Sequence, residues 1–211
     1  MPRPIVFDCD GVLLDTEAGW TRAETELFAR YGHSYGEEEK RRLIGLSLPK
    51  AGREFAEMLD EPGRGDELMD EAIELVAKDL SNGVEPMPGA RRLLADVRGT
   101  RPMAVASNSY RRLVDLALEV SGFAAFFDVV VTGDEIEHPK PAPDIYLEAC
   151  RRLGVDPRTA AAVEDSPAGV ASAKAAGLYV IGVPYLAGLD LSDADLQVES
   201  LEAPAVRAAL G

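Results

Sequence analysis

Near the start of the chain, a short apolar run ends in two carboxylates and a glycine: Ile5-Val6-Phe7-Asp8-Cys9-Asp10-Gly11. Continuous rather than alternating hydrophobicity over residues 5–8 predicts a strand that is buried on both faces, as in a parallel sheet. Four later segments share this apolar character: 103–107, 129–132, 160–165 and 179–183. Together they predict a parallel sheet that presents Asp8 and Asp10 at the carboxyl end of its first strand.

Helical patterns separate the later strands. Apolar residues recur at helical spacing over 113–120, and Gly122 follows as a stop signal. Ser166-Pro167 supplies an N-cap and a first-turn proline for a second helix that ends at Gly177, and a third helix is expected over 143–153. Strands that alternate with helices predict a Rossmann-like, doubly wound α/β sheet with right-handed connections.

One region interrupts this alternation. Residues 16–83 contain no strand-like run and are rich in Ala, Leu, Glu and Arg, which predicts a helical insertion. Hinge points are expected at Asp15-Thr16 and at Gly83-Val84. Residues 1–15 and 84–211 would then form the main α/β domain.

The charge balance excludes several classes of partner. The 211-residue chain carries 37 acidic and 22 basic side chains, a net charge of −15. This balance argues against a nucleic-acid surface and against attraction to an anionic membrane. The charged run at 37–42 is interpreted as a solvated helix face with i,i+4 pairs, namely Glu37 with Arg41 and Glu38 with Arg42.

The scarcity of histidine and cysteine bears on metal choice and location. The two cysteines (Cys9 and Cys150) and the two histidines (His33 and His138) lie far apart in sequence and lack the paired spacing of a structural zinc site. The apolar run at the start is too short for a signal peptide, and no stretch approaches the 18 apolar residues of a membrane span. We therefore expect a cytoplasmic protein with reduced thiols.

Polar side chains follow the other predicted strands. Ser107-Asn108-Ser109 follows the second, Lys140 lies between two prolines after the third, and Glu164-Asp165 ends the fourth. Parallel sheets bind ligands at this edge, outside the carboxyl ends of their strands. Several carboxylates with one lysine favour a hard cation such as Mg²⁺, which in turn favours a phosphate-bearing substrate.

Four segments in this order resemble the motifs of the haloacid dehalogenase (HAD) superfamily. Each follows a predicted strand: 8–17 (DCDGVLLDTE), 107–108 (SN), 140–144 (KPAPD) and 164–169 (EDSPAG). More narrowly, the chain is similar to sugar-phosphate phosphatases and β-phosphoglucomutase-like enzymes with a helical cap after the first strand. The resemblance implies the HAD fold, a cap at 16–83 and a small phosphorylated metabolite as substrate. It leaves the oligomeric state open, with a monomer plausible.

The resemblance also implies catalytic roles. Asp8 would attack phosphorus to form an aspartyl-phosphate, and Asp10 would protonate the leaving group and later deprotonate water. Mg²⁺ would be held by the Asp8 carboxylate, the Asp10 main-chain carbonyl and Asp165. Two roles stay open for Glu164: it would contact the metal directly or through water, or it would accept hydrogen bonds behind the ligands.

Phosphate binding is implied for a further set of residues. The Ser107 hydroxyl and the Lys140 ammonium would contact the non-transferring oxygens, together with backbone N–H groups near Cys9, Asp10 and Asn108. The Cys9 side chain itself is interpreted as a small buried group that points away from the site.

The insertion departs from the mutase pattern. β-Phosphoglucomutases carry a histidine four residues beyond the Asp-Thr pair and an arginine just after a Gly-x-Ser turn, where this chain has Trp20 and Leu48. These departures favour a phosphatase over a mutase, although a mutase stays an alternative. Trp20, Ser47 and a predicted loop at 44–51 are our candidates for substrate specificity.

Other classes are weaker alternatives. A dehalogenase would lack the second aspartate, so Asp10 argues against one. A phospho-accepting receiver carries its aspartate after the third strand and has no place for the insertion. A silent binding module would not need all four motifs.

Overall fold

A six-stranded parallel sheet forms the centre of the computed structural model, which describes residues 3–43, 46, 48–186 and 188–211. The spatial order is β3-β2-β1-β4-β5-β6, and every neighbouring pair is parallel. The strands are β1 (Ile5–Phe7), β2 (Met103–Ser107), β3 (Val129–Thr132), β4 (Ala161–Glu164), β5 (Tyr179–Gly182) and β6 (Leu196–Gln197). The predicted α/β parallel sheet is confirmed, and the two-residue edge strand β6 was not predicted.

Helices follow or precede most strands. They are α1 (Glu17–Arg30), α2 (Glu37–Leu43), α3 (Leu48–Met58), α4 (Gly65–Leu80), α5 (Ala90–Val97), α6 (Arg111–Ser121), α7 (Asp144–Leu153), α8 (Pro167–Ala176) and α9 (Pro204–Leu210). The capping signals act as predicted, because the Ser166 hydroxyl accepts a hydrogen bond from the Gly169 N–H at 3.1 Å. Gly122 and Gly177 end α6 and α8 in the left-handed conformation that glycine allows.

The central strand β1 is buried on both faces. Ile5, Val6 and Phe7 are each fully inaccessible to solvent. Val6 packs in one apolar cluster, and Ile5 and Phe7 pack in the other. This arrangement explains why the strand sequences are continuously apolar, since successive side chains enter different layers.

In residues 16–83, which we call the helical insertion, the described part contains helices α1 to α4 and no strand. Leu27 and Phe28 of α1, Phe55 of α3 and Leu68 of α4 are buried in its interior. The two linkers to the sheet run side by side, since the Asp15 N–H donates to the Glu85 carbonyl at 2.9 Å.

The two ion pairs expected within α2 are wrong. Arg41 forms no salt bridge with Glu37, and Arg42 does not pair with Glu38 in its own helix. Its guanidinium instead reaches Glu54 at 2.6 Å and Glu57 at 3.1 Å, both on α3. The packing of α2 on α3 brings these carboxylates closer than the helical neighbour. Among the helices in the described part of the chain, none is both long and apolar enough to cross a membrane.

Candidate active site

A buried lysine links two carboxylates at the carboxyl end of the sheet. The Lys140 ammonium lies 2.5 Å from Asp8 Oδ1 and 2.6 Å from Glu164 Oε1. Asp8 follows β1 and Glu164 ends β4, which are neighbouring strands. The three side chains are only 0 to 8% exposed, so the charges interact in a poorly solvated environment.

Burial and mutual repulsion shift the ionisation of this cluster. Desolvation raises the pKa of Asp8 to about 8 against the opposing effect of the Lys140 charge. Burial and the charges of Asp8 and Glu164 raise the pKa of Asp165 well above its usual value. Burial alone would lower the pKa of Lys140, but Asp8 and Glu164 raise it well above that of a free lysine. The cluster therefore has a shortage of positive charge.

Asp10 is held by three hydroxyl groups. Thr16 donates to its Oδ1 at 2.6 Å, and Ser107 and Ser109 donate to its Oδ2 at 2.7 and 3.0 Å. Ser107 ends β2, so this contact joins two neighbouring strand ends. The structure thus places the Ser107 hydroxyl against Asp10. The contacts of Thr16 and Ser109 were missed, because no spacing in the sequence shows that they approach this carboxyl.

Both oxygens of Glu164 are occupied. Oε1 accepts hydrogen bonds from Lys140 and from the Tyr146 hydroxyl, each at 2.6 Å. Oε2 accepts from the Asp165 N–H at 3.1 Å and the Ser166 hydroxyl at 3.3 Å. Tyr146 was missed by the sequence analysis because it lies on the buried face of α7, where a tyrosine resembles any apolar residue.

A convergent set of carboxylates is available for a metal ion. Asp8, Glu164 and Asp165 each offer one oxygen, and these oxygens lie within 4.8 Å of one another. A β-carbon on Gly11 would overlap the Asp165 carboxyl, so glycine lets the chain turn beside it. An all-oxygen donor set in a cluster short of positive charge fits a hard divalent cation.

Asn108 fixes the backbone of Lys140. Its side-chain Oδ1 accepts a hydrogen bond from the Lys140 N–H at 3.0 Å, and its Nδ2 lies 3.4 Å from the Lys140 carbonyl oxygen. The Cys9 side chain is fully buried among apolar residues, and burial raises the pKa of its thiol well above the usual value. This placement agrees with the interpretation of Cys9 as a core side chain.

A cavity of about 510 Å³ lies between the carboxylate cluster and the helical insertion. Its insertion side is largely apolar, with Glu17, Glu24, Tyr35 and Lys40 as polar exceptions. The apolar lining includes Trp20, Leu43, Leu46, Leu48, Ala51, Phe55 and Met69. Trp20 therefore faces the cavity.

The predicted specificity loop at 44–51 is partly wrong. Helix α3 begins at Leu48, so Leu48 and Ala51 reach the cavity from a helix. Residues 44, 45 and 47, including the candidate Ser47, lie outside the described residues.

The parallel sheet carries a lysine–carboxylate cluster at its carboxyl edge, and the helical insertion faces this cluster across the cavity. The chain belongs to the haloacid dehalogenase-like hydrolase family, whose model matches residues 5–183. Among curated relatives, it is 37% identical over 191 residues to (DL)-glycerol-3-phosphatase 1 of Arabidopsis thaliana, a mitochondrial protein. That match covers 85% of this chain and 63% of the relative.

Two further proteins match over nearly their full length. The fructose-1-phosphate phosphatase YqaB of Escherichia coli (strain K12) is 33% identical over 186 residues, covering 86% of this chain and 96% of YqaB. The crystal structure of CbbY from Rhodobacter sphaeroides in complex with phosphate superposes with a TM-score of 0.84 at 31% identity, covering 95% of both chains. The expected family and fold are thereby confirmed.

Proposed function

We propose that the protein is a Mg²⁺-dependent phosphatase that hydrolyses monophosphate esters of small sugars, sugar alcohols or sugar acids through an aspartyl-phosphate on Asp8. The observation that carries this proposal is the Lys140 ammonium in contact with both Asp8 and Glu164, beside Asp165 and facing the cavity. Phosphoryl transfer requires chiefly such alignment and charge neutralisation.

In the first half of the reaction, an Asp8 carboxylate oxygen attacks phosphorus as the ester P–O bond breaks. Asp10 gives its proton to the departing oxygen, which leaves as the alcohol. Lys140 holds Asp8 in place and carries positive charge toward the equatorial phosphoryl oxygens. Glu164 and Asn108 keep Lys140 in that position through its side chain and its backbone.

In the second half, water attacks the phosphorus of the aspartyl-phosphate. Asp10 takes the proton from this water, the bond between Asp8 and phosphorus breaks, and free phosphate leaves. Thr16, Ser107 and Ser109 orient the Asp10 carboxyl through both steps.

Mg²⁺ would be held by Asp8, Asp165 and the main-chain carbonyl of Asp10, with Glu164 adjacent. When bound, it supplies charge that neutralises the phosphoryl oxygens and the surrounding carboxylates. The donor set supports this choice because it consists only of oxygens.

The helical insertion acts as a cap in this proposal, with residues 16–83 covering a core made of 1–15 and 84–211. It forms one wall of the cavity through Trp20 and other apolar residues. Closing such a wall over the substrate excludes bulk water from the reacting phosphate. Support for the substrate class comes from relatives that are named as phosphatases of glycerol 3-phosphate and fructose 1-phosphate.

The proposal is tested by hydrolysis of p-nitrophenyl phosphate, followed by a screen of sugar and polyol phosphates for phosphate release. We expect turnover with Mg²⁺, loss of turnover with EDTA and recovery when Mg²⁺ is restored. Asp8→Asn should lower kcat by about 10⁴-fold or more, because it removes the nucleophile. Asp193→Asn, on the exposed surface, is the matched control and should retain wild-type activity. Undiminished activity in Asp8→Asn would refute the mechanism.

A further inference from the structure

Glu24 is a buried carboxylate in the cavity wall that the proposed mechanism does not use. It lies on α1, is only 8% exposed and lines the cavity beside Tyr35. The Tyr35 hydroxyl donates a hydrogen bond to its Oε2. Among the described residues, no hydrogen-bond donor reaches the other carboxylate oxygen, Oε1. Within this part of the chain, Oε1 is therefore an acceptor without a donor, on a side chain that lines the cavity.

The surroundings hold Glu24 in a fixed orientation. The Tyr35 ring packs edge-on against Phe28 at 5.1 Å between ring centroids, which fixes its hydroxyl. The Lys40 ammonium lines the same cavity but donates to the Thr21 hydroxyl at 3.1 Å and makes no ion pair with Glu24. Within the described ranges, Glu24 Oε1 is an acceptor without a donor on the mostly apolar insertion side of the cavity. Such an acceptor is suited to recognise one donor group on a ligand.

We propose that Glu24 is a specificity-determining residue that accepts a hydrogen bond from a hydroxyl group of the substrate's leaving group. The preferred substrates are then monophosphates whose leaving group packs an apolar face on the Trp20 side of the cavity and carries a hydroxyl at its far end. This inference rests on the phosphatase function proposed above.

The length of α1 sets the position of this contact. Thr16, immediately before α1, binds Asp10 of the reaction centre, whereas Glu24 lies eight residues further on. At 1.5 Å per helical residue, this separation is about 12 Å along the axis. The hydroxyl that Glu24 binds is thus remote from the scissile bond, as expected for a group that selects the substrate.

A hydroxyl is favoured over an ammonium group. The leaving groups of the substrate class proposed above, sugars and polyols, carry hydroxyl groups and no ammonium group. The test is made at pH 8, where Glu24 is ionised, and a single hydrogen bond to a charged acceptor then corresponds to about 10- to 100-fold in affinity.

The test uses non-hydrolysable ligands, so that it does not depend on turnover. Calorimetry with wild-type protein and Mg²⁺ would compare butyl-, pentyl- and hexylphosphonate with their ω-hydroxy and ω-amino counterparts. We expect the hydroxyl to tighten binding about 10- to 100-fold in at least one length pair. Glu24→Leu should abolish this difference, and Glu24→Gln, which keeps an acceptor oxygen, should retain part of it. Glu26→Gln on the exposed face of α1 is the matched control and should behave as wild type.

Three outcomes would overturn the inference. The first is equal affinity of the wild type for the alkyl and hydroxyalkyl ligands, and the second is tighter binding of the amino ligand. The third is a Glu24→Leu variant that loses thermal stability and loses affinity for all ligands to the same extent. The last outcome would identify a purely structural role. Failure of the proposed function is a separate result, because absence of p-nitrophenyl phosphate hydrolysis would refute the phosphatase but leave the ligand preference measurable.

Discussion

Gly169 lies in the first turn of α8, against the carboxylate that supports Lys140. A β-carbon at this position would overlap the carboxyl group of Glu164. Gly169→Ala should therefore displace Glu164 and, with it, the Lys140 ammonium. We expect kcat for p-nitrophenyl phosphate to fall at least about 10-fold, since loss of one charge-assisted contact costs about 1.5–3 kcal/mol.

A second substitution on the same helix separates this effect from helix stability. Ala175→Gly, on the exposed face of α8, should lower the free energy of unfolding by up to about 1 kcal/mol without lowering kcat. Equal kcat in Gly169→Ala and wild type would show that the position of Glu164 is unimportant for turnover.

Glu24 makes the stability of the protein depend on pH. Burial raises the pKa of Glu24 from 4.5 to about 7, against the opposing hydrogen bond from Tyr35. Because the folded state holds this proton more tightly than the unfolded state, the contribution of Glu24 is most favourable below pH 4.5 and is lost as the pH rises through 7. The loss is on the order of 3 kcal/mol.

Glu24→Gln removes the buried charge, so it should raise Tm at pH 8 by about 6–12 °C and leave Tm at pH 5 nearly unchanged. Thermal unfolding at the two pH values measures the difference. The exposed Glu26→Gln variant should show no comparable gain at pH 8. A Glu24→Gln gain of equal size at both pH values would contradict the titration of this carboxyl.

The close packing of α3 on α4 depends on a pair of glycines. A β-carbon on Gly52 would lie 2.5 Å from the Gly65 carbonyl oxygen and 3.3 Å from the Met69 β-carbon. Gly52→Ala should therefore push α3 away from α4 at a cost of about 1–3 kcal/mol, partly offset by the better helix propensity of alanine. Because Phe55 and Ala51 of α3 line the cavity, KM should rise with the loss of stability.

Urea unfolding and steady-state kinetics with p-nitrophenyl phosphate would measure both effects. Lys50→Ala, on the exposed face of α3, is the matched control and should change neither quantity appreciably. An unchanged KM in a destabilised Gly52→Ala variant would show that the position of α3 does not control the cavity.

Among the secondary-structure elements, strands were predicted well and short segments poorly. The runs at 103–107 and 129–132 coincide with β2 and β3, because a strand buried on both faces has to be apolar at every position. β6 has only two residues at the sheet edge, too few to show a pattern. The start of α3 at Leu48 was not predicted.

The position of the candidate site was predictable from the strand topology, whereas the contacts that hold its side chains in place were not. Asp8, Lys140 and Glu164 follow different strands, and parallel strands end at one edge, so their approach was predictable. The contacts of Tyr146 with Glu164 and of Thr16 with Asp10 depend on how a helix face and a linker pack against that edge. Such tertiary contacts leave no periodic signal in one sequence.

The arrangement of the whole molecule bears on the choice between phosphatase and mutase. A mutase has to retain a bisphosphate while it turns over, which requires cationic groups for a second phosphate opposite Asp8. Among the described residues that line the cavity, Lys40 is the cation on the insertion side, and it is accompanied by Glu17 and Glu24. The residues outside the described ranges carry no charged side chains. A second phosphate would therefore meet more negative than positive charge.

With β-glucose 1-phosphate, a bisphosphate primer and Mg²⁺, we accordingly expect free phosphate and no glucose 6-phosphate. Phosphorus NMR of the reaction mixture distinguishes the two products directly. If hydrolysis of this ester is slow, the same comparison on the best substrate from the phosphate-release screen should again give one equivalent of phosphate per alcohol formed. Accumulation of the 6-phosphate without phosphate release would require a second phosphate site in this cavity and would refute the charge argument.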